Sequence, residues 1–209
     1  MKKWLASGLM ALVCLGIGMN VNAAGDAAAG KANFAVCSSC HGANGEGNQA
    51  LNAPSIAGQE EWYVVRQLQN FKAGVRGLHP KDMYGAQMRP MAMTLADEKA
   101  IENVAAYIQT LKAVKPVATG SGKVDAGKAV FMVCSSCHGP NGEGNKALNA
   151  PKLSTLPDWY IVRQISNFKA GIRGADPKDI FGAQMRPMAM TVASDQAAAD
   201  VAAYINSLK

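Results

Sequence analysis

The chain has 209 residues, with 21 Lys and Arg against 15 Asp and Glu, 49% apolar residues and 6% aromatics. This length suits one or two compact domains, and so few rings leave a small domain short of bulk at its centre, a gap that a large apolar cofactor can fill. The formal charge of +6 does not point to nucleic acid, because two of the lysines fall in a removable leader and the remaining excess is small.

Lys2 and Lys3 precede an apolar run over residues 4–19, and Val21-Asn22-Ala23 forms a small-residue cleavage pattern. Residues 1–23 therefore read as a secretory signal peptide cut after Ala23, and the run is short for a membrane span. An uncleaved anchor is the alternative. Cys14 lies inside the run, behind the bulky Val13, and is read as a discarded leader residue rather than a lipid attachment site. Export places the chain in an oxidising compartment.

Residues 26–36 predict a short Ala-rich helix that runs up to the first cysteine. Residues 59–74 predict a second, with Val64, Leu68, Phe71 and Val75 along one face and Gly74 as its stop. Residues 96–112 predict a third. Thr94 or Asp97 sits near its start, and Ile101, Val104, Ala105 and Ile108 form its apolar stripe. No segment alternates cleanly as a strand does, so the fold class is all-α. The stretches between the helices, rich in Gly, Pro, Asn and Ala, read as loops that wrap something.

The same plan then repeats. Residues 34–112 match residues 131–209 at a constant offset of 97 without a gap, and roughly two-thirds of the positions are identical. So long a period marks a duplicated domain, not a solenoid. Residues 113–122 have the Pro, Gly, Ser and Thr content of a linker, which divides the chain into domains at 24–112 and 123–209. The linker is short and keeps the two close. The first domain balances to zero charge while the second carries +3, making the second the more attractive face for an acidic partner.

Without the leader, four cysteines remain: Cys37, Cys40, Cys134 and Cys137. In an exported chain they first suggest two disulfides. Their spacing argues otherwise, because His41 and His138 follow the pairs at once and Cys-Ser-Ser-Cys-His occurs twice. Cys-x-x-Cys-His is the signature of c-type haem attachment. Its thiols add across the two vinyl groups as thioethers, and the imidazole reaches the iron from the same side. A zinc site explains neither the His after each pair nor the long interval between pairs. A thioredoxin-like pair needs a strand–helix context that is missing. Two covalent haem c groups are expected, and their propionates offset most of the residual positive charge.

An electron-carrying haem needs a second axial ligand, and the candidate must recur in both copies. His79 fails, since Asp176 stands in its place. The stretch Gly-Ala-Gln-Met-Arg-Pro-Met-Ala-Met-Thr at 85–94 recurs unchanged at 182–191, offering three methionines per copy. A soft, neutral thioether favours ferrous iron and raises the potential. The remaining methionines pack the haem or the core.

On these motifs each half resembles a class I cytochrome c domain. The tandem resembles the periplasmic di-haem cytochromes c4 over essentially the whole chain after the leader. The resemblance implies a ligand methionine seven residues before a Leu that leads into an acidic helix start. Leu95 and Asp97 set that register and select Met88; Val192 and Asp195 select Met185, with Met91 and Met188 as alternatives. It implies that the Pro54 and Pro151 carbonyls accept the other N–H of each axial imidazole, fixing its tautomer and ring plane. It also implies that the first and last helices pack through Gly30, Phe34 and Tyr107, and through Gly127, Phe131 and Tyr204. Trp62-Tyr63 and Trp159-Tyr160 open the middle helices and either line the haem edge or pack the core. Arg66, Arg89, Arg163 and Arg186 either reach a propionate or sit in solvent. The Met-Arg-Pro-Met-Ala-Met segment and the Arg-Gly-x-x-Pro-Lys-Asp loop depart from the cytochrome c4 pattern.

The function implied is periplasmic electron transfer through two His/Met haems, with no catalytic residue and no enzymatic activity. The expected partners are redox proteins: a quinol-oxidising cytochrome complex as donor, and a terminal oxidase or periplasmic reductase as acceptor. Membrane association would be peripheral and through those partners. One rival is a haem enzyme, such as a two-haem peroxidase or a thiosulfate-oxidising cytochrome. It needs an open or unusually ligated iron, which halves this alike do not suggest. A subunit dedicated to one dehydrogenase or oxidase complex is the other rival.

Overall fold

The computed structural model describes residues 25–208; the leader expected at 1–23 lies outside the described residues. Within them the regular structure is helical: α1 (Ala27–His41), α2 (Glu61–Lys72), α3 (Met83–Met93), α4 (Glu98–Thr110), α5 (Val124–His138), α6 (Asp158–Lys169), α7 (Ile180–Met190) and α8 (Asp195–Ser207). A single 3-10 turn follows α1 at Gln49–Leu51 and α5 at Lys146–Leu148. The loop around each turn closes on one antiparallel bridge, Asn48 with Ala53 and Asn145 with Ala150.

Local signals explain where most helices begin. Asp26 accepts the N–H groups of Ala28 and Ala29, Asp97 that of Ala100, and Ser194 that of Ala197. Each satisfies a donor that an open first turn leaves unpaired. The cap of α8 is thus Ser194, which takes the place of Asp97, and Asp195 is its first helical residue. In each half the first helix crosses the last, and the second packs against both the third and the last. A Cβ added to Gly30 would lie 1.9 Å from the Asn103 carbonyl oxygen, and one added to Gly127 would lie 1.9 Å from that of Asp200. Only glycine permits so close a crossing. Phe34 then meets Tyr107 at 5.1 Å between ring centroids, and Phe131 meets Tyr204 at 5.4 Å. Val64, Leu68, Phe71, Ile101, Val104 and Ile108 complete the first core, each buried side chain being worth about 1.5–3 kcal/mol relative to exposure.

Two expectations are corrected here. The first helix does not stop before the cysteines; it continues through Cys-Ser-Ser-Cys-His and ends at Gly42, whose φ of 85° breaks it. The methionine-bearing segments, read as loops, are helices α3 and α7. Asp82 and Asp179 cap them by accepting the N–H groups of Gly85 and Gly182. Pro90 and Pro187 fall in their last turns, so each removes one bond to the carbonyl four residues back, near the end of the helix.

The halves face each other in a reciprocal contact. Arg66 donates from Nη1 to Asn149 Oδ1 at 3.0 Å and from Nη2 to the Asn149 carbonyl at 3.1 Å. Arg163 makes the same pair of bonds to Asn52 at 3.1 and 3.4 Å. Residue and target exchange halves at the 97-residue offset, as in an isologous dimer. Both asparagines sit at the end of a 3-10 turn with left-handed φ of 57° and 56°, a conformation that asparagine tolerates better than most residues. Arg66 also lies over the ring of Phe181 at 4.4 Å, and Arg163 over that of Tyr84 at 4.2 Å. Trp62, Tyr63, Trp159 and Tyr160 lie under the same guanidiniums. These rings lie at the boundary between the halves, where Tyr160 also packs against the second core and Tyr63 and Tyr160 face the cavity of the second half, and Arg66 and Arg163 are not solvated surface charges. Near the end of the segment 113–122, the N–H groups of Thr119 and Gly120 donate to Asp158 Oδ2 at 2.6 and 2.7 Å.

Candidate haem sites

Carrying α1 through the motif places Cys37, Cys40 and His41 at i, i+3 and i+4, on one face. The intervening Ser38 and Ser39 turn back to bond the carbonyls of Ala35 and Val36 at 2.8 Å. The second copy on α5 has the same arrangement, with Ser135 and Ser136 bonding back to Met132 and Val133.

His41 and His138 are buried, and Nδ1 of each lies 2.8 Å from the carbonyl of Pro54 and Pro151 respectively. Burial holds both imidazoles below their ordinary range and outweighs the carbonyl contact, which acts the other way. A neutral ring that donates from Nδ1 has its Nε2 lone pair free for a metal. Burial also pushes the Cys37 thiol up to about 11 and raises that of Cys134. A redox Cys-x-x-Cys pair needs the opposite, a depressed thiolate. Among the described residues no three His, Cys, Asp or Glu side chains gather to hold a metal ion, so the zinc reading finds no ligand set.

In the second half a largely apolar cavity of about 1300 Å3, its open mouth included, reaches from the motif to α7. Cys134, Cys137 and His138 line it, as do Met185, Met188, Phe168, Val192 and Ile205. Met185 and Met188 share a face of α7 at i, i+3, which is why both line the cavity; Met190 does not and is 62% exposed. In the first half Met88 and Cys37 pack against the core, while Met91 is 36% and Met93 62% exposed. Two thiols, a neutral imidazole and a thioether around an apolar hollow fit a large planar apolar group that carries iron. His79 stands on an exposed turn, and Arg89 bonds the Phe71 carbonyl at 3.3 Å.

The cavity of the second half is not built by that half alone: Tyr63, Arg66 and Gln67 of the first half line it too. Sequence reasoning stops at four recurrent arginines and misses a further pair, Arg76 and Arg173. Both are 6% exposed, and they stack on Phe71 and Phe168 at 4.3 and 4.4 Å. Their recurrence at the 97-residue offset, each before a glycine of positive φ, is the signal that would find them.

The chain matches the cytochrome c family twice, over residues 27–112 and 124–209. It is 34% identical to cytochrome c4 of Azotobacter vinelandii over 94% of this chain and 96% of that one. It is 30% identical to the thiosulfate dehydrogenase electron acceptor of Stutzerimonas stutzeri over 73% and 71%. Among solved structures it resembles reduced recombinant cytochrome c4 from Pseudomonas stutzeri with a TM-score of 0.74 and 32% identity, covering 89% of this chain and all of that one. Each Cys-Ser-Ser-Cys-His motif attaches one haem c covalently. The chain belongs to the cytochrome c family, as a two-haem electron-transfer member of the cytochrome c4 type.

Proposed function

We propose that the protein works in the periplasm as a carrier of single electrons between respiratory proteins, with His41 and Met88 as axial ligands in the first half and His138 and Met185 in the second. One observation carries this reading: both halves offer the same neutral, carbonyl-held imidazole and the same half-buried methionine. Each haem iron supplies the exchange of one electron between ferrous and ferric states. The chain does the rest. The Pro54 and Pro151 carbonyls hold the imidazole rings in one plane. The capped helix α3 holds Met88 against the packed core and the capped helix α7 holds Met185 in the wall of the cavity, which limits rearrangement when the charge on the iron changes. The reciprocal Arg–Asn bonds keep the halves face to face, which favours exchange of electrons within the chain. Two sites alike in these groups support a carrier over an enzyme, since each offers a methionine for the position that a catalyst would leave open.

Donor and acceptor are taken to be a quinol-oxidising complex and a terminal oxidase or periplasmic reductase. The relative that accepts electrons from thiosulfate dehydrogenase favours a second reading, in which such a dehydrogenase is the donor. The test of ligation is spectroscopy of the oxidised protein with Met88→Ala, Met91→Ala, Met185→Ala and Met188→Ala. The methionine-to-ferric-iron charge-transfer band should halve with Met88→Ala and with Met185→Ala. Halving with Met91→Ala or Met188→Ala in their place overturns the ligand choice.

A further inference from the structure

We propose that Gln59 and Glu60, at the head of α2, are positioning residues for the axial histidine of the other half: they brace the loop that holds His138, and the second half returns no such contact. The proposal rests on His138 as an iron ligand, not on the choice of methionine.

The loop that follows α5 holds His138 at two points. The Gly144 N–H donates to the His138 carbonyl at 2.8 Å, and the Pro151 carbonyl accepts from His138 Nδ1 at 2.8 Å. First-half side chains reach the loop beside both points. Gln59 is 2% exposed, and its Nε2 donates across the boundary to the Lys152 carbonyl and to Thr155 Oγ1, each at 3.0 Å. Lys152 is the residue after Pro151. Glu60 is the N-cap of α2, yet its side chain makes no capping bond. It lies against the loop instead: a Cβ built on Gly144 would stand 3.0 Å from Glu60 Oε2 and 2.7 Å from the Lys152 nitrogen. That carboxylate oxygen is buried with no hydrogen-bond partner, and among the described residues Glu60 makes no ion pair. Fold stability alone does not explain a carboxylate oxygen buried in this way.

The residue types exclude the reverse contact. At the 97-residue offset Leu156 stands for Gln59, Pro157 for Glu60 and Gly58 for Thr155. Leucine has no amide, proline no carboxylate and glycine no hydroxyl. Leu156 packs into the second core. Pro157 lines a hollow of about 630 Å3, its mouth included, together with Gly47 and Ser55, the counterparts of Gly144 and Lys152. The loop that holds His41 therefore lacks the braces that grip the loop of His138.

A firmly held Nδ1–H···O=C bond makes the imidazole a more basic ligand, which favours ferric iron. The negative charge of Glu60 favours it as well. Replacing either residue should raise the potential of the second haem. The experiment is a redox titration of the holoprotein followed by NMR, with Gln59→Leu and, separately, Glu60→Gln, each haem read through the hyperfine-shifted signals of its own histidine. Each variant should lower the ferric-to-ferrous ratio of the second haem about threefold at a fixed potential, or about 28 mV for a one-electron couple. The first haem should move less, and the methionine-to-iron band should stay intact. An equal shift at both haems, or no shift at the second in a variant that holds two haems, overturns the proposal. The native protein offers a test that does not depend on a variant folding. In the ferrous state the His138 Nδ1–H should exchange with solvent about tenfold more slowly than that of His41, the difference that two added hydrogen bonds make to local opening. Equal exchange overturns the brace. Failure of the underlying reading looks different: His138 signals without a hyperfine shift in the native ferric protein would remove the ligand, and the proposal with it.

Discussion

Replacing Gly30 by alanine separates packing from propensity, because the two predict opposite signs. In an ordinary helix interior the change would stabilise by about 1 kcal/mol. Here the new Cβ would lie 1.9 Å from the Asn103 carbonyl oxygen, 2.4 Å from its carbon and 3.0 Å from Tyr107 Cβ. A carbon–oxygen contact relaxes only near about 3.3 Å, so α1 and α4 must part by about 1.4 Å along that line. A gap of that size forfeits about half or more of the attraction of each contact across the crossing. The Phe34–Tyr107 pair, worth about 0.5–1.5 kcal/mol, lies on that crossing. Overpacking of this kind costs about 1–3 kcal/mol, and the net effect is a loss of about 2–3 kcal/mol. For a domain of this size that lowers Tm by roughly 10–20 °C. Calorimetry of the holoprotein reads it, and Gly127→Ala in the second half should behave alike. An unchanged or raised Tm would refute the packing argument.

Three further outcomes follow from the same geometry. Arg66→Ala removes two bonds to Asn149 and the stack on Phe181, a loss of about 1–2 kcal/mol at the boundary; trypsin should then cleave faster at Lys115 in the linker. Asp82→Ala leaves the N–H groups of Gly77 and Gly85 without their acceptor, which should cost about 2–4 kcal/mol by urea denaturation and, with Met88 as the proposed ligand, broaden the methionine-to-iron band as α3 loosens. Cys134→Ala with Cys137→Ala should reduce the haem count by mass from two to one. It should also abolish cooperative unfolding of the second half, whose side chains then surround an unfilled hollow.

The chemistry was the most legible part of the sequence, because covalent attachment demands one spacing of Cys, Cys and His and the repeat supplied it twice. Helices α2 and α4 were legible from their apolar stripes, since Val64, Leu68 and Phe71, and Ile101, Val104 and Ile108, recur at helical intervals on faces that are in fact buried. The end of α1 was not, because Cys and Ser are indifferent helix formers and the helix is carried through them to Gly42. Helix α3 was hidden by its composition: Met, Gly and Pro give no stripe, and its only strong signal is the cap by Asp82. The boundary between the halves was the least legible. Arg66 and Asn149 lie 83 residues apart, and no local pattern announces which faces of two domains will pair. Recurrence was the remaining clue: Arg76 and Arg173 recur as the methionines do, but the sequence reading stopped at four other arginines.

The central claim is that both haems are closed carriers of one electron each. Reductive titration of the native protein under carbon monoxide, followed in the Soret region and counted in electrons per chain, tests it most directly. Two electrons per chain, with a reduced spectrum that carbon monoxide leaves unchanged, is the expected result. A count other than two, or a rapid carbon monoxide shift at either haem, would contradict it.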